Sequence, residues 1–597
     1  MRDADTVLGI IRERGKQELP LEDIYRQLYN PNLYLRAYAR LYSNEGAMTK
    51  GTTSETVDDM SMKKIEALID DLGQERYRWT PVRRTYIPKK NGKLRPLGLP
   101  SWTDKMLQEC MRLILEAYYE PQMSHHSHGF RPERGCHTAL SEIRHTWTGS
   151  KWFVEGDISK WFDTLDHTVM MSILSEKLHD NRFLRLVQNL LQAGYLEEWH
   201  YHETLSGSPQ GGVISPILSN VYLDKLDKFV EEQLLPGYNH KQRRQRNARY
   251  DALLHAACEH SKRGEYAIAE KLRKQAQQMP SYNPSDPEYR RLHYVRYADD
   301  TLFGFVGTKA EAEEIKRRLG EFLHEHLKLE LSEEKTLITH AQTQKARFLG
   351  YDIVVQHQDD KHDQRKRRVI NGTVALRVPK DVIENKCALY MRKGKPTHRA
   401  ELLQDDDFTT ISRYPAEYRG LVQYYLPTQN VSVLAKLHWV METSLLKTLA
   451  NKHQVSMMHM VRKYKSTTET PYGKMKCLEI TMKRENKKPL VARFGGIPLR
   501  QREKVSLVDL PFSINKPPER NELIKRLLAN ACEMCGSRQD IRVHHIRKLA
   551  DLETKGGSEK PRWVKIMSTR RRKTLVVCHQ CHMDIHAGRP MKRQVQK

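Results

Sequence analysis

The sequence lacks any run of eighteen apolar residues, so we expect no membrane-spanning helix. The first residues, Met1 to Asp5, open acidic and have no long apolar core, which argues against a secretory signal or an Arg-rich transit peptide. Internal repeats and long low-complexity tracts are also missing, which excludes repeat architectures. These absences together predict a protein of the reducing cytoplasm.

Acidic residues are comparatively few, at 74 Asp and Glu against 101 Lys and Arg, which gives a formal net charge of +27. An excess of this size predicts a polyanionic partner, above all nucleic acid. The basic residues are clustered, as in 241–246 and 365–368, which favours this interpretation over a merely soluble basic protein. The length of 597 residues suggests about four domains.

Cysteine is scarce, and its positions fall into two classes. Five of the nine cysteines are scattered and are expected to be small buried hydrophobes: Cys110, Cys136, Cys258, Cys387 and Cys477. The other four form two Cys-x-x-Cys pairs about 40 residues apart: Cys532, Cys535, Cys578 and Cys581. In a reducing compartment this spacing indicates metal ligation, so we predict a structural Zn²⁺ with four thiolate ligands.

The most informative stretch is Tyr297-Ala298-Asp299-Asp300, which lies between two alternating apolar segments. That pattern predicts strand, tight turn and strand. Adjacent carboxylates suit Mg²⁺, and paired metal ions catalyse nucleotidyl transfer. Asp157 ends a short apolar strand and could complete such a site, although a strand-end Asp is more often a helix cap.

Other segments indicate the surrounding organisation. A basic hairpin with Asn91-Gly92 at its tip is predicted within 84–99. Residues 230–290 read as an exposed helical insertion, and 310–335 as an amphipathic helix. From about 380 the pattern is helical, and the basic stretch 480–530, with Phe494-Gly-Gly-Ile-Pro498, is typical of a linker.

Several motifs follow one another along the chain: the basic hairpin, Ser127-His-Gly-Phe-Arg131-Pro, Gly156-Asp157-Ile, Ser208-Pro-Gln210-Gly-Gly, Tyr297-Ala-Asp-Asp300, Leu331-Ser-x-x-Lys335-Thr, Phe348-Leu-Gly-Tyr351 and Tyr418-Arg-Gly-Leu421. Their order resembles that in the bacterial group II intron-encoded proteins, which combine a reverse transcriptase and maturase with an HNH DNA endonuclease. The resemblance covers nearly the whole chain.

The resemblance implies an α+β multidomain fold: a right-hand polymerase with an antiparallel palm sheet, fingers and an α-helical thumb, followed by a small zinc-stapled ββα-metal nuclease. The implied regions are 1–80, an N-terminal fingers extension; 81–375, fingers and palm with the insertion 230–290; 376–480, thumb or maturase domain; 481–530, DNA-binding region; and 531–597, HNH domain.

The resemblance also implies roles for individual residues of the polymerase. Asp157, Asp299 and Asp300 would hold two Mg²⁺ ions. Arg83, Lys89 and Arg95 would contact the incoming triphosphate. The remaining expectations are Phe162 against the sugar 2′ position, Gln210 at the nucleotide, and Phe348, Leu349, Gly350 and Tyr351 as the primer grip.

The C-terminal histidines form the implied nuclease site. His582 and His586 are one helical turn apart and would bind a divalent metal together with His544, leaving His545 as general base. A zinc ribbon that only binds, with histidines as phosphate donors, is the alternative. The chain departs from the HNH pattern because no Asn lies between His545 and Cys578.

The expected function is retrohoming of an intron. The protein would bind its intron RNA as a ribonucleoprotein, aid splicing, nick target DNA and extend the 3′ end with dNTPs. We expect it in the bacterial cytoplasm, at the nucleoid when bound to DNA. Two alternatives stay open: a splicing cofactor with inactive catalytic sites, and a reverse transcriptase of defence or diversity-generating type.

Overall fold

The computed structural model describes residues 3–88, 92, 94–159, 161–197, 200–202, 211–284, 286–358, 370–484, 487–502, 521–552 and 560–589. The first elements are α1 (Ala4–Lys16), α2 (Pro31–Leu41), α3 (Met62–Gly73), β1 (Val82–Pro88), β2 (Leu94–Leu99), α4 (Trp102–Tyr119), α5 (Cys136–Thr146), β3 (Trp152–Asp157), α6 (Trp161–Thr164), α7 (His167–Ser175), α8 (Asn181–Gln192), β4 (Tyr195–Glu197) and β5 (His200–His202). In the described part of the chain, no helix combines the length and apolar character needed to cross a membrane.

Two further groups of elements complete the chain. The middle group is α9 (Ser215–Phe229), α10 (Leu235–Tyr238), α11 (Ala248–Lys262), α12 (Tyr266–Gln277), β6 (Arg291–Tyr297), β7 (Asp300–Val306), α13 (Lys309–Leu327), β8 (Ile338–His340), β9 (Ala346–Phe348), β10 (Tyr351–Val355) and β11 (Val374–Arg377). The last group is α14 (Lys380–Ala388), β12 (Met391–Arg392), β13 (Lys395–Pro396), α15 (Asp407–Tyr425), α16 (Ala435–His453), α17 (Met457–Tyr464), β14 (Lys465–Thr470), β15 (Gly473–Arg484), β16 (Lys487–Gly495), α18 (Glu522–Leu528), β17 (Ile541–His545), α19 (Arg562–Arg570), β18 (Thr574–Cys578) and α20 (His579–His586).

The central sheet has the strand order β6-β7-β3-β8, and every neighbouring pair is antiparallel. Strand β7 is buried along almost its whole length, which fits its continuous apolar run Leu302 to Val306. Because Tyr297 pairs with Asp300, β6 and β7 are joined by a two-residue loop, as the sequence predicts. This sheet therefore carries the candidate carboxylates at the end where β3 and the β6–β7 loop meet.

A second sheet, with the order β2-β1-β4-β5, contains the predicted basic hairpin. The hairpin is confirmed, since β1 and β2 pair antiparallel from Arg83 opposite Leu99 to Pro88 opposite Leu94. Strand β4 joins β1 in parallel. The predicted helical character of 230–290 is confirmed as well, because α11 and α12 lie within it and each buries few side chains.

The region after residue 465 corrects the sequence analysis. The helical pattern expected from 380 onward ends at α17, and β14, β15 and β16 then form an antiparallel sheet instead of a basic linker. Phe494 is fully buried, with its ring stacked 5.0 Å from His438 and close to Tyr418 of α15. The polar outer face of this half-buried sheet explains why its sequence looked unpatterned.

The C-terminal module is an antiparallel pair, β17 and β18, leading directly into α20. It lies against the N-terminal region, where Met60 and Val543 form an antiparallel bridge. The buried apolar residues of the module are continuous with those of α1 to α4 and the central sheet. A second core joins the other face of the central sheet to α15, α16 and the β14–β16 sheet.

Candidate metal centres

The central sheet brings together three carboxylates that are far apart in sequence. Asp157 at the end of β3 is the direct register partner of Asp300 at the start of β7, and Asp299 lies in the adjoining loop. Directly opposed residues of an antiparallel pair have Cα atoms about 4.5–5.5 Å apart. The glycine before Asp157 is required by packing, because a Cβ on Gly156 would overlap the hydroxyl of Thr301.

A buried ion pair holds the loop that carries Asp299. Arg296 is fully buried and pairs with the equally buried Asp227, with Nη2 to Oδ2 at 2.6 Å. The Nη1 of Arg296 donates to the carbonyl of Ala298 at 2.9 Å and contacts Asn220 Oδ1 at 3.2 Å. Ala298 has a φ of +55°, a conformation that L-residues rarely adopt, so the loop depends on this support.

The motif segment around residue 128 supports the same loop from its other side. Residue His128 donates its backbone N–H to the carbonyl of Arg296 at 2.9 Å. Asn220 donates to the carbonyl of Gly129 at 2.9 Å. A Cβ on Gly129 would overlap the backbone nitrogen of Ala298, so no larger residue fits there without moving the loop.

Two of the three carboxylates, Asp299 and Asp300, are costly to ionise in this site. Burial, followed by repulsion from Asp299 and Asp157, raises the pKa of Asp300 to about 7. Burial is also the main reason why the pKa of Asp299 is raised, and Asp157 adds to it. Lys335 places its Nζ 2.8 Å from both carboxylate oxygens of Asp157. Acids that are costly to ionise together are a donor set suited to divalent cations.

The carboxylates are less tightly gathered than the two groups in the C-terminal module. Among the described residues, two groups have all of their ligand atoms within 4.8 Å of one another. One consists of four cysteines, and the other of Asp58 and three histidines. Lys335 holds both oxygens of Asp157, which explains why that carboxylate is directed at an ammonium group instead of converging on Asp299 and Asp300.

Two of the three predicted triphosphate contacts are described, and they share one face of the β1–β2 hairpin. Arg83 and Ile87 are four residues apart on β1 and so lie on the same face of the strand. Arg95 of β2 is directly opposite Ile87, which places it on that face as well. Arg95 is close enough to lower the pKa of Asp299 in part, against the effect of burial. Arg83 donates to the carbonyl of Lys50 at 2.8 Å.

Three other predicted nucleotide contacts lie wholly or partly outside the described residues. Lys89 and Gln210 lie outside the described residues, and Phe162 belongs to α6 although its side chain is outside the described part. The adjacent Gly211 has a φ of +106°, and a Cβ there would lie 2.7 Å from the carbonyl of Gly98 on β2. Gly211 therefore lies close against the backbone of the hairpin.

The predicted primer-grip segment is a tight hairpin clamped by helix α15. Leu349 and Gly350 both have positive φ, as the two central residues of a type I′ turn require. Tyr424 donates to the carbonyl of Leu349 at 2.7 Å, and Tyr425 donates to that of Gly350 at 2.9 Å. The flanking side chains, Phe348 and Tyr351, are buried in the core, so only the turn itself is presented outward.

The four predicted zinc ligands converge. The Sγ atoms of Cys532, Cys535, Cys578 and Cys581 all lie within 4.8 Å of one another, with Cys535 and Cys578 at 3.6 Å. A tetrahedral thiolate site with Zn–S of about 2.3 Å has edges of about 3.8 Å, so the group fits Zn²⁺. The backbone N–H of Cys535 also approaches the Sγ of Cys532 at 3.4 Å.

The three predicted histidine ligands form a second group, and it contains a fourth member that the sequence did not indicate. Asp58 lies 3.1 Å from His582, 2.9 Å from His586 and 3.4 Å from His544. Burial would raise the pKa of Asp58, but the histidines outweigh it and hold that pKa well below its usual range. Within the described residues, neither ring nitrogen of the buried His544 has a hydrogen-bond partner, which fits a metal ligand.

The candidate general base, His545, is not open to solvent. It is 5% exposed, and burial lowers its pKa to about 4. Its Nε2 lies 3.3 Å from the hydroxyl of Tyr38, and the Tyr42 ring lies close by. Its backbone N–H donates to Asp58 at 2.8 Å. His545 is thus enclosed by Tyr38, Tyr42 and Asp58, and its role as general base stays a prediction.

Comparison with known families matches three successive regions. The family described as reverse transcriptase (RNA-dependent DNA polymerase) matches 87–353. Type II intron maturase matches 376–494, and AI2M/AI1M-like HNH endonuclease matches 532–582. The maturase match extends through the β14–β16 sheet, in agreement with the fold. The first and last regions contain the carboxylates and the cysteine and histidine groups.

Individual relatives align along half of the chain or more. Group II intron-encoded protein LtrA of Lactococcus lactis subsp. cremoris is 37% identical over 94% of this chain and 95% of its own length. The putative COX1/OXI3 intron 1 protein of Saccharomyces cerevisiae is 33% identical over 97% of this chain and 71% of its own. Protein YkfC of Escherichia coli is 32% identical over 56% of this chain and 84% of its own.

Proposed function

Because the chain belongs to the group II intron-encoded proteins, we propose that its three centres carry out successive steps of one retrohoming reaction. The protein is an RNA-directed DNA polymerase, an intron maturase and an HNH endonuclease. Its activities therefore require intron RNA, target DNA and dNTPs as partners, in a ribonucleoprotein. The cytoplasmic location, with nucleoid association during DNA binding, stays a prediction.

The polymerase step is assigned to Asp157, Asp299 and Asp300. Two bound Mg²⁺ ions would lower the pKa of the primer 3′-hydroxyl and stabilise the pyrophosphate leaving group. The single observation that carries this assignment is the register, which sets Asp157 directly opposite Asp300 and beside Asp299. Lys335 would release Asp157 when cations neutralise the carboxylates, and its ammonium would then be available to phosphate oxygens.

The parts around the carboxylates correspond to fingers, palm and thumb in our proposal. Arg83 and Arg95 on the β1–β2 hairpin would grip the triphosphate, with Lys89 at its tip. Gln210 and Phe162 would contact the nucleotide base and sugar. The turn Leu349-Gly350 would support the primer end, with Tyr424 and Tyr425 transmitting the position of α15 to that turn.

The maturase role is assigned to the basic surface of the chain, since a net charge of +27 favours a long RNA partner. Affinity that arises from contacts to phosphates falls steeply as salt increases. The helices α11 and α12, which bury few side chains, are our candidate for an RNA contact outside the polymerase cleft. The domain boundaries expected from the sequence stay predictions.

The nuclease step is assigned to the C-terminal module. The cysteine group would hold a structural Zn²⁺ that staples β17, β18 and α20 together. His544, His582 and His586 would hold a divalent metal that polarises the scissile phosphate. His545 would remove a proton from the attacking water once the bound DNA can reach His545. The cut strand would then supply the 3′ end that the polymerase extends.

The test is a reconstitution of the protein with the intron RNA that flanks its gene, offered a DNA duplex and dNTPs. We expect Asp299→Ala to abolish Mg²⁺-dependent extension and to leave RNA splicing and DNA nicking in place. His545→Ala should stop nicking of the opposite strand and spare reverse splicing. Asp381→Asn is a matched control, because Asp381 is an exposed carboxylate paired with Arg347. Extension by the Asp299 variant at the wild-type rate would refute the assignment.

A further inference from the structure

The nuclease module is docked on the segment 57–60, which precedes α3. Val57 and Met60 are buried in the N-terminal region, and Trp102 donates its indole N–H to the Met60 sulfur at 3.4 Å. Between them, Asp58 and Asp59 contact the nuclease module. Asp59 pairs with Arg542 at 2.6 Å, and the bridge between Met60 and Val543 continues the contact.

Asp58 lies at the centre of the histidine group. Its oxygens are 2.9 Å, 3.1 Å and 3.4 Å from nitrogens of His586, His582 and His544. A tetrahedral site with metal–ligand distances of about 2.0–2.2 Å has edges of about 3.3–3.6 Å. The distances from the carboxylate to the ring nitrogens lie within or slightly below that range, and one ligand atom from each of the four side chains lies within 4.8 Å of the others, so the group can surround one metal ion.

This completeness matters because a catalytic metal centre keeps a coordination position open for water or substrate. Three histidines leave such a position, whereas three histidines and a carboxylate close a tetrahedral site. A carboxylate and a DNA phosphate both offer hard, negatively charged oxygen ligands, so they compete for the same position. Docking also covers His545, which is 5% exposed beneath Tyr38 of α2 and donates its backbone N–H to Asp58.

We propose that Asp58 is an intramolecular fourth ligand of the nuclease metal, which closes the site until the segment 57–60 and the module separate. The inference rests on the proposed nuclease function of the histidine group. DNA would be cut only after its phosphate replaces the Asp58 carboxylate and His545 becomes accessible. The closed site would keep the free protein from nicking DNA indiscriminately.

An ordinary buried interface is the simpler explanation, in which Asp58 merely accepts hydrogen bonds. One observation in particular weighs against it. Neither ring nitrogen of His544 makes a well-aligned hydrogen bond among the described residues, although the residue is only 4% exposed, and the one polar neighbour recorded for its Nδ1 is Asp58 at 3.4 Å. Buried polar atoms of this kind are normally satisfied, so the pattern fits nitrogens that await a cation.

The first test measures Zn²⁺ binding to the full-length protein without nucleic acid. The four-cysteine group and the Asp58–histidine group predict two bound ions per chain. Asp58→Asn should keep the first ion and weaken binding of the second about tenfold or more. Asp71→Asn, which alters an exposed carboxylate paired with Arg76, should change neither. Unchanged affinity for the second ion in Asp58→Asn would overturn the assignment of Asp58 as a ligand.

The second test measures nicking of a DNA duplex by the protein without intron RNA. At divalent-metal concentrations that saturate both proteins, we expect the wild type to be slow and Asp58→Asn to be at least about tenfold faster. Asp59→Asn should also accelerate nicking, because it loosens docking through Arg542, but it should leave the affinity for the second Zn²⁺ nearly unchanged. Equal rates in the wild type and both variants would overturn the closed-site proposal.

A covalent lock distinguishes closure from a general effect of substitution. Met60→Cys with Val543→Cys places thiols at directly opposed positions of an antiparallel bridge. Oxidation should suppress nicking by the reconstituted ribonucleoprotein, and reduction should restore it, while primer extension stays constant. Met60→Cys alone and Val543→Cys alone, which each add one cysteine, control for oxidation of the zinc thiolates. Nicking at full rate by the locked protein would overturn the proposal.

The results also separate this inference from the proposed function. If the wild-type ribonucleoprotein nicks DNA while Asp58→Asn changes neither metal binding nor rate, closure by Asp58 is wrong and the nuclease assignment stands. If neither the ribonucleoprotein nor any variant nicks DNA, the nuclease assignment fails. In that case the Zn²⁺ measurement still decides whether Asp58 is a ligand.

Discussion

Replacing Asp300 with Asn should make the metal-free polymerase region more stable while abolishing its activity. The pKa of Asp300 is about 7 in the folded protein, against an ordinary value of 3.8. Below about pH 4 the carboxyl is neutral in both folded and unfolded chains. Between about pH 4 and 7 the folded protein keeps a proton that the unfolded chain has lost, so the free energy of unfolding falls as pH rises. Above about pH 7 the whole penalty is present.

The size of the penalty follows from the shift. Each pKa unit corresponds to about 1.4 kcal/mol, so a shift of about 3 units amounts to roughly 4 kcal/mol. An Asn at this position carries no charge and removes the repulsion from Asp299 and Asp157. We therefore expect the Asp300→Asn variant to gain up to about 4 kcal/mol at pH 8, and close to nothing at pH 4. A region as long as 81–375 shifts its Tm by about 2 °C per kcal/mol, so that gain would raise Tm by roughly 8 °C.

The assay is thermal unfolding together with amide hydrogen exchange of β6 and β7, in buffer without Mg²⁺. Adding Mg²⁺ should stabilise the wild type, by about 2.7 kcal/mol at a hundredfold excess over Kd, and should leave the variant unchanged. Asp381→Asn serves as the control, because Arg347 lowers the pKa of Asp381 and the charged form is therefore favourable in the folded protein. This variant should not gain stability at pH 8. A variant that is no more stable than wild type at pH 8, or equally more stable at pH 4 and 8, would refute this reasoning.

Three further outcomes are expected. Gly129→Ala should cut primer extension by at least tenfold and lower Tm by a few degrees, because its Cβ would press on the backbone of Ala298 and displace the loop. Tyr425→Phe removes the hydrogen bond to Gly350 and should raise the KM for primer-template more than it lowers kcat. Cys578→Ser should abolish nicking and loosen exchange protection throughout α20, as seen by hydrogen exchange, while extension on an RNA template continues.

Local patterns in the sequence predicted much of the catalytic sheet. The strand-turn-strand pattern around Asp299 and the apolar strand ending at Asp157 are properties of a few adjacent residues, and both are present in the fold. The Cys-x-x-Cys pairs are equally local, because their spacing brings each pair to one metal. The placement of Asp157 opposite the distant loop was suggested by its position at a strand end and by the family resemblance, and not by periodicity.

What the sequence could not predict depends on contacts between distant segments. The buried pair of Arg296 and Asp227 looks like two ordinary surface charges in the sequence, since nothing local indicates that both will be fully buried. Asp58 lies in an ordinary acidic turn, between 486 and 528 residues from its histidine partners. The sheet that contains Phe494 was missed because only one of its faces is apolar, and a basic outer face resembles a linker.

A closed nuclease site has a consequence for DNA affinity that can be worked out without further structure. If DNA binds only the open form, the apparent Kd equals the intrinsic Kd divided by the fraction of open molecules. A comparison of the wild type with Asp58→Asn, at metal concentrations that saturate both proteins, therefore reports how much of the closure depends on the Asp58 carboxylate. A tenfold tighter binding would mean that closure stabilises the free protein by about 1.4 kcal/mol. The replacement of the Asp58 carboxylate by a DNA phosphate at the metal would then set the rate at which the ribonucleoprotein cuts DNA.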